Sequence, residues 1–280
     1  MKILKTAQEF FDWRSKISFS VGFVPTMGAL HQGHISLIKK SKELCEVSVV
    51  SIFINPTQFA PDEDLESYPK TLDSDIQLLN KLNVDLLFLP TDEEMYKNVK
   101  DVAVPESNLF KKLEGKSRPH FFYGVTKIVS KLFNVIRPTH TFFGEKDAQQ
   151  LIIINELISN MKYEIDLIAC PTIRDINGLA LSSRNQYLSL EEQKEAACFS
   201  KALIKLKKKI NNGELNSAVL KTNFAQELSE FKKITIDYIS IASKKTLDEI
   251  ETVQGNVLIS AAVFYNKTRL IDNFSYQSST

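Results

Sequence analysis

Apolar and β-branched runs alternate with stretches of helical periodicity through the first two thirds of the 280-residue chain. The runs at 20–25, 47–54, 84–89, 141–143 and 165–169 read as short strands. Between them, Ile35, Leu37, Ile38 and Leu44 follow Gly33, and Leu72, Ile76, Leu79 and Leu82 follow Thr71. Val125, Ile128, Val129, Leu132 and Val135 follow Gly124, again at the spacing of one helix face. Strands that are apolar along their length, alternating with helices, predict a parallel sheet covered on both sides in a Rossmann-like α/β layout. Ligands of such sheets bind at the carboxyl ends of strands, which directs attention to the loops at Pro25, Asn55, Gly144 and beyond Cys170.

The pattern changes near residue 172. Helical stretches at 190–209 and 215–231 precede strand-like runs at 234–241, 257–264 and 268–271, which predicts a smaller α+β unit. The expected division is therefore 1–172 and 173–280. Lys205 and Lys207 to Lys209 form a basic run, but Leu203, Ile204, Leu206 and Ile210 interleave with it at helical spacing, as on a solvated helix face. The last residues, 277–280, are expected to fray.

Composition narrows the function classes. A hydrophobic fraction of 43% is ample for a buried core, and 35 basic against 34 acidic residues leave a net charge of +1. Such a balance gives no global attraction for nucleic acid or an anionic membrane, so any anion site is local. Cys45, Cys170 and Cys198 lack metal-like or redox spacing and read as small core or surface residues in a reducing compartment. Lys2, Lys5, Glu9, Asp12 and Arg14 leave no apolar signal-peptide core, and no run approaches the roughly 20 apolar residues of a membrane span. The expected location is the cytoplasm.

The most informative segment runs from Phe23 to His34. A strand ends at Pro25, Gly28 permits close backbone approach, and Gly33 sits where a helix begins, flanked by His31 and His34. Helix-start amides favour phosphate, and two imidazoles three residues apart can donate to a triphosphate as charge develops on its leaving group. The competing reading is a surface loop or a partial metal site. Asn55 and Gln58 follow another strand, where neutral amides suit hydroxyls and carboxylates. Gly144, Glu145, Lys146 and Asp147 close a strand and open a helix, offering amides and a compact cation to phosphates. Asp147 suits a magnesium ion, a ribose hydroxyl or a helix cap. Ser182, Ser183 and Arg184, in a loop opened by Asn177 and Gly178, supply two hydroxyls and a guanidinium fork for phosphate oxygens, or a helix-start turn.

The segment at His31, Gly33 and His34 resembles the His-x-Gly-His signature of the nucleotidyltransferase superfamily. With Pro25, Thr26, Met27, Gly28, Ala29 and Leu30 before it, it is similar to the opening motif of pantothenate synthetases. Asn55-Pro-Thr-Gln58-Phe59, Phe143-Gly-Glu-Lys-Asp147 with Gln149 and Gln150, and Leu179-Ala-Leu181 with Ser182, Ser183, Arg184, Asn185, Tyr187 and Leu188 resemble three further motifs of that family in the same order. Thr268 to Asn273 resembles its closing strand. Two positions depart from the pattern: His120 stands one place early, with Phe121 in the usual histidine position, and Thr139 replaces an aspartate. No role is assigned to either His120 or Thr139.

The resemblance implies an enzyme that adenylates pantoate with ATP and passes the pantoyl group to β-alanine. It implies a nucleotide pocket of Met27, Gly28, His31, Gly33, His34, Gly144, Glu145, Lys146, Asp147, Ile173, Leu181, Ser182, Ser183 and Arg184. Asn55, Gln58 and Gln150 then bind substrate, Gln58 beside the β-alanine position as well, and Mg2+ arrives on ATP. His34, His31 and Lys146 are the expected catalytic groups, with His34 donating to the departing phosphate oxygen. A homodimer is implied too. The C-terminal unit is expected to act as a lid, with residues 177–185 mobile until nucleotide binds, because Gly178 and the serines offer little packing. Two rivals share these residues: a nucleotidyltransferase acting on a phosphorylated alcohol, which favours a more basic pocket, and a nucleotide-binding or RNA-contacting regulator without turnover.

Overall fold

Six parallel strands form the first sheet: β1 (Lys2–Leu4), β2 (Val21–Thr26), β3 (Val47–Ile52), β4 (Leu86–Phe88), β5 (His140–Gly144) and β6 (Asp166–Cys170). The structure, a computed structural model, describes residues 1–61 and 63–278. The strands lie in the order β1-β4-β3-β2-β5-β6, every adjacent pair parallel. Helices α1 (Ala7–Arg14), α2 (Gln32–Leu44), α3 (Leu72–Lys81), α4 (Glu114–Ser117), α5 (Phe121–Ile136) and α6 (Ala148–Asn160) connect them. Two apolar clusters cover the sheet, one around Phe10, Phe23, Phe88 and Phe133 and one around Val24, Ile38, Leu79 and Phe142. The strands are apolar throughout because both faces are buried.

The chain leads outward from β2 to one edge through β3 and β4, then returns to pair β5 on the other side of β2. Such a reversal splays the loops after β2 and β5 and opens a crevice at their carboxyl ends. The expected strands all occur. Missing from the expectation were β1, α1, α4 and α6; α1 is opened by a capping box between Thr6 and Glu9.

The chain separates into two compact units, Met1–Glu145 with Gln149–Pro171, and Lys146–Ala148 with Thr172–Thr280. The second contains α7 (Leu190–Asn211), α8 (Ser217–Leu228) and an antiparallel sheet β7-β8-β9 built from Ile234–Ser243, Asn256–Tyr265 and Thr268–Gln277. Its core gathers Phe199, Phe224, Ile259 and Tyr265. On α7, Leu203, Leu206 and Ile210 are buried, whereas Ile204 is exposed beside the lysines. The expected fraying does not reach Gln277, which pairs with Asn256, nor Ser278, whose amide donates to the Gly255 carbonyl at 3.0 Å. Ser279 and Thr280 lie outside the described residues. All three cysteines are buried and unpaired, and burial pushes the Cys198 thiol up to about 11. Among the described residues no helix is long and apolar enough to cross a membrane.

Candidate active site

The loop after β2 is shaped by its own backbone. Gly28 and Ala29 both take positive φ, 84° and 51°, a turn that costs little at glycine and more at alanine. Asp75 of α3, which is buried, holds this turn: Oδ2 accepts from the Ala29 amide and Oδ1 from the Leu30 amide, each at 2.9 Å. Thr71 donates to the same carboxylate at 3.1 Å. Motif reading did not single out Asp75, whose hydrogen bonds reach 45 and 46 residues back along the chain.

His31 is the N-cap of α2. Its Nδ1 accepts from the Gly33 amide at 3.1 Å, and the His34 Nδ1 accepts from the His31 amide at 3.3 Å, a reciprocal capping box made by two imidazoles. The ring centroids are 4.1 Å apart. A Cβ on residue 33 would stand 2.7 Å from the His31 ring, so only glycine lets that ring fold over the helix start. Because a backbone N–H points at each Nδ1, the ring proton of the neutral imidazole resides on Nε2. Both rings therefore present an Nε2–H donor beside the positive end of α2.

After β3, Asn55 caps the short turn Pro56–Gln58. It is 1% exposed, and its amide is fully engaged. Nδ2 donates to the Gly124 carbonyl at 3.2 Å and to Gln58 Oε1 at 3.1 Å. Oδ1 accepts from the Thr57 amide, the Thr57 hydroxyl and the Tyr96 hydroxyl. Gln58 Nε2 then donates to Met27 Sδ at 2.8 Å, which brings two of the predicted residues together. Helix α5 presses on this turn: a Cβ at Gly124 would fall 2.4 Å from the Thr57 carbonyl oxygen, so glycine is required there.

Gly144 ends β5, Glu145 opens the turn Glu145–Asp147, and α6 follows. The adjacent glutamines divide their roles. Gln149 is buried and pins the segment before α5, accepting from the Glu114 amide at 3.0 Å and donating to the Leu109 and Lys112 carbonyls, each at 2.8 Å. Gln150 is half-buried, and its amide has no hydrogen-bond partner among the described residues.

His120 is exposed, and Phe121 packs its ring 3.7 Å from the Arg118 guanidinium. Arg118 pairs with both oxygens of Glu63 and donates to the Gln58 carbonyl at 3.2 Å. Thr139 is structural, accepting from the Val21 amide at 2.9 Å where β2 begins.

In the second unit, residues 173–181 form a narrow hairpin. Leu181 donates to the Ile173 carbonyl at 2.9 Å, and Arg174 bridges Ala180. Gly178 turns the chain at φ 94°, and Asp175 Oδ1 accepts from the Asn177 and Leu179 amides at 2.8 and 2.9 Å. Ser182 caps the following turn by accepting from the Arg184 amide, and Ser183 and Asn185 are buried. The expectation of little local packing at 177–185 is overturned: Leu179 and Ala180 are 2% and 4% exposed, and Asn185 donates to the Ala180 carbonyl at 3.1 Å. Asp272 holds the hairpin's base through Arg174, as a bidentate pair at 2.6 and 2.9 Å. Next to it, Asn273 donates to the Lys146 carbonyl at 2.7 Å, while Lys146 Nζ lies 3.5 Å from Asp147. The closing-strand motif thus steadies two predicted nucleotide segments.

The family profile described as Pantoate-beta-alanine ligase matches residues 2–275. The chain is 47% identical to the pantothenate synthetase of Fervidobacterium nodosum over 254 residues, 91% of this chain and 90% of that one. It superposes on the crystal structure of pantothenate synthetase from Thermus thermophilus with a TM-score of 0.91 and 35% identity, over 98% of this chain and 99% of the other. A pantoate-beta-alanine ligase from Francisella tularensis, complexed with beta-gamma ATP and beta-alanine, gives a TM-score of 0.78 and 35% identity over 98% and 97% of the two chains.

Proposed function

The chain belongs to the pantoate-β-alanine ligase family, and from that premise we infer that it condenses (R)-pantoate with β-alanine, consuming ATP and releasing AMP and pyrophosphate. The reaction passes through pantoyl adenylate and supplies pantothenate for coenzyme A synthesis. The observation that carries the assignment of roles is the paired histidine cap, which aims two Nε2–H donors from the start of α2.

In the first step the pantoate carboxylate attacks the α-phosphorus of ATP. His31, His34, Lys146, Ser182, Ser183 and Arg184 are assigned to the phosphates, where donors and cations offset the charge that grows on the leaving pyrophosphate. Met27, Gly28, Gly33, Gly144, Glu145, Ile173 and Leu181 line the nucleotide. No three His, Cys, Asp or Glu side chains gather as a metal site among the described residues. Mg2+ is assigned to the ATP substrate, with Asp147 as the carboxylate beside Lys146. In the second step the β-alanine amine attacks the mixed anhydride and expels AMP, which requires orientation, an unprotonated amine and exclusion of water. Pantoate-dependent exchange of labelled pyrophosphate into ATP tests the first step and its substrate together. Well-folded protein without exchange would overturn the assignment.

Gln58 and Gln150 are assigned to pantoate. Gln58→Ala is expected to impair both half-reactions and Gln150→Ala chiefly the pantoate-dependent one, each by about 1–3 kcal/mol, the cost of a lost hydrogen bond to a buried polar group. Separate assays of adenylation and of β-alanine transfer check this; a Gln58→Ala enzyme impaired only in ATP binding would refute the placement.

We also propose that the protein is cytoplasmic, that it is a homodimer, as family resemblance implies, and that the second unit acts as a lid. Sedimentation at twice the 31.8 kDa chain mass is the expected result, and a monomer at micromolar concentration would exclude the dimer.

A further inference from the structure

Residues outside the assigned site converge on Gln58. Residues Glu94–Asn98 form one π-helical turn, in which the Val99 amide bonds back to the Glu94 carbonyl at 3.0 Å. Isolated π turns interrupt ordinary helical geometry and recur at functional sites. This one is anchored from both ends. The Glu94 carboxylate accepts from the Ala7 amide at 2.7 Å and from Asn98 at 2.7 Å. Lys131 of α5, fully buried, donates to the Met95 and Val99 carbonyls and pairs with Asp101 at 2.7 Å. Its Nζ also stands 5.3 Å from the centre of the Tyr96 ring. The Tyr96 hydroxyl, held by this frame, meets Asn55 Oδ1 and lies 3.2 Å from the Thr57 hydroxyl.

The consequence is a fixed sense of polarity. Three donors converge on Asn55 Oδ1, and two carbonyl oxygens face Nδ2. A flipped Asn55 would set its NH2 against the Thr57 N–H and its oxygen against the Gly124 carbonyl oxygen, so only one orientation is satisfied. That orientation obliges Gln58 to turn Oε1 toward Asn55 and Nε2 away from it. Among the described residues Nε2 meets only Met27 Sδ, a weak acceptor that a carboxylate or hydroxyl oxygen readily replaces.

We propose that Tyr96 is a positioning residue for pantoate: its hydroxyl anchors Asn55, whose amide sets the sense of Gln58 and so presents a donor, rather than an acceptor, to an oxygen of the substrate. This rests on the assignment of Gln58 to pantoate made above. Asn55 acts in the same relay, because its own polar atoms are all engaged within the protein. Burial holds the Tyr96 hydroxyl above its ordinary pKa, so it stays a donor through the neutral range.

Tyr96→Phe keeps the ring beside Lys131 and Phe53 and removes only the hydroxyl. Pantoate-dependent pyrophosphate exchange is expected to lose about tenfold in kcat/KM for pantoate, as for one lost buried hydrogen bond, while the KM for ATP is unchanged. In a Gln58→Ala background the same substitution is expected to change kcat/KM by less than about twofold, because the two act through one contact. Thr57→Val removes the other side-chain donor to Asn55 Oδ1 and should show the same non-additivity if Tyr96→Phe yields no folded protein. Equal effects with and without Gln58, or no effect on pantoate kinetics, would overturn the proposal. Unaltered pantoate kinetics in Gln58→Ala alone would instead remove the underlying assignment, and the proposal with it.

Discussion

Replacing His34 or Lys146 with alanine is expected to slow pantoate-dependent pyrophosphate exchange by about a hundredfold or more, since each removes a group that opposes charge developing in the transition state. The two variants differ in what else they disturb. Lys146 donates from the end of its side chain, and the Asn273 contact is to its backbone carbonyl, so truncation leaves that contact in place. His34 also accepts from the His31 amide, and His34→Ala leaves that amide to water. A companion His31→Asn variant separates capping from catalysis, because asparagine caps a helix well but carries no Nε2 donor. Expected for His31→Asn is a melting temperature close to that of the parent with exchange still strongly reduced. Exchange kinetics unchanged in any variant would remove that residue from the mechanism.

The alternation of apolar strands and helices was legible because a parallel sheet buries both faces of every central strand. Edge elements are harder to read. β1 spans only Lys2–Leu4, with Lys2 and Ile3 exposed and Leu4 alone buried, too short a run to register as periodicity. β9 is expected at 268–271 but extends to Gln277, since its far half is partly exposed and polar, carrying Asn273, Ser275 and Gln277. Cross-strand pairing with β8 holds that half in place, and a long-range pairing leaves little local signal in the sequence.

The same division separates the residues assigned to ligand from those that hold them. Histidines at a glycine-bounded helix start, or amides after a strand, announce themselves by type and spacing. Asp75 and Tyr96 do not. The loop amides that Asp75 holds lie 45 and 46 residues away and the Asn55 that Tyr96 meets lies 41 away, and neither residue type marks such a contact in the sequence. The bonding of the hairpin at 173–181 escapes the sequence for the same reason. Gly178, Ser182 and Ser183 suggest little packing, whereas the hairpin is bonded by Asp175 within it and by Asp272 nearly a hundred residues later, at a separation of 98.

Asp272→Ala is therefore expected to loosen the nucleotide hairpin from its base. The carboxylate is buried, and it accepts two bonds from Arg174 and one from Ser200 at 2.7 Å. Removing one partner of a buried pair costs about 3–5 kcal/mol when the other charge is stranded. Here the Arg174 side chain is 31% exposed and can partly resolvate, which places the expected loss near about 3 kcal/mol. Asp272→Asn, which keeps the shape but sets an amide against the guanidinium, is expected to fall between the two. Urea unfolding measures the global loss, and hydrogen exchange at residues 174–182 measures the local one. If the hairpin carries Ile173, Leu181 and the Ser182 to Arg184 turn to the nucleotide, the KM for ATP rises in both variants while the KM for pantoate holds. ATP, magnesium and pantoate should then slow exchange at 177–185 in the parent and less so in Asp272→Ala. Equal exchange in parent and variant would show that Arg174 and Asp175 hold the hairpin without Asp272. Equal exchange in the parent with and without ligand would sink the lid proposal and leave the ligase reaction standing.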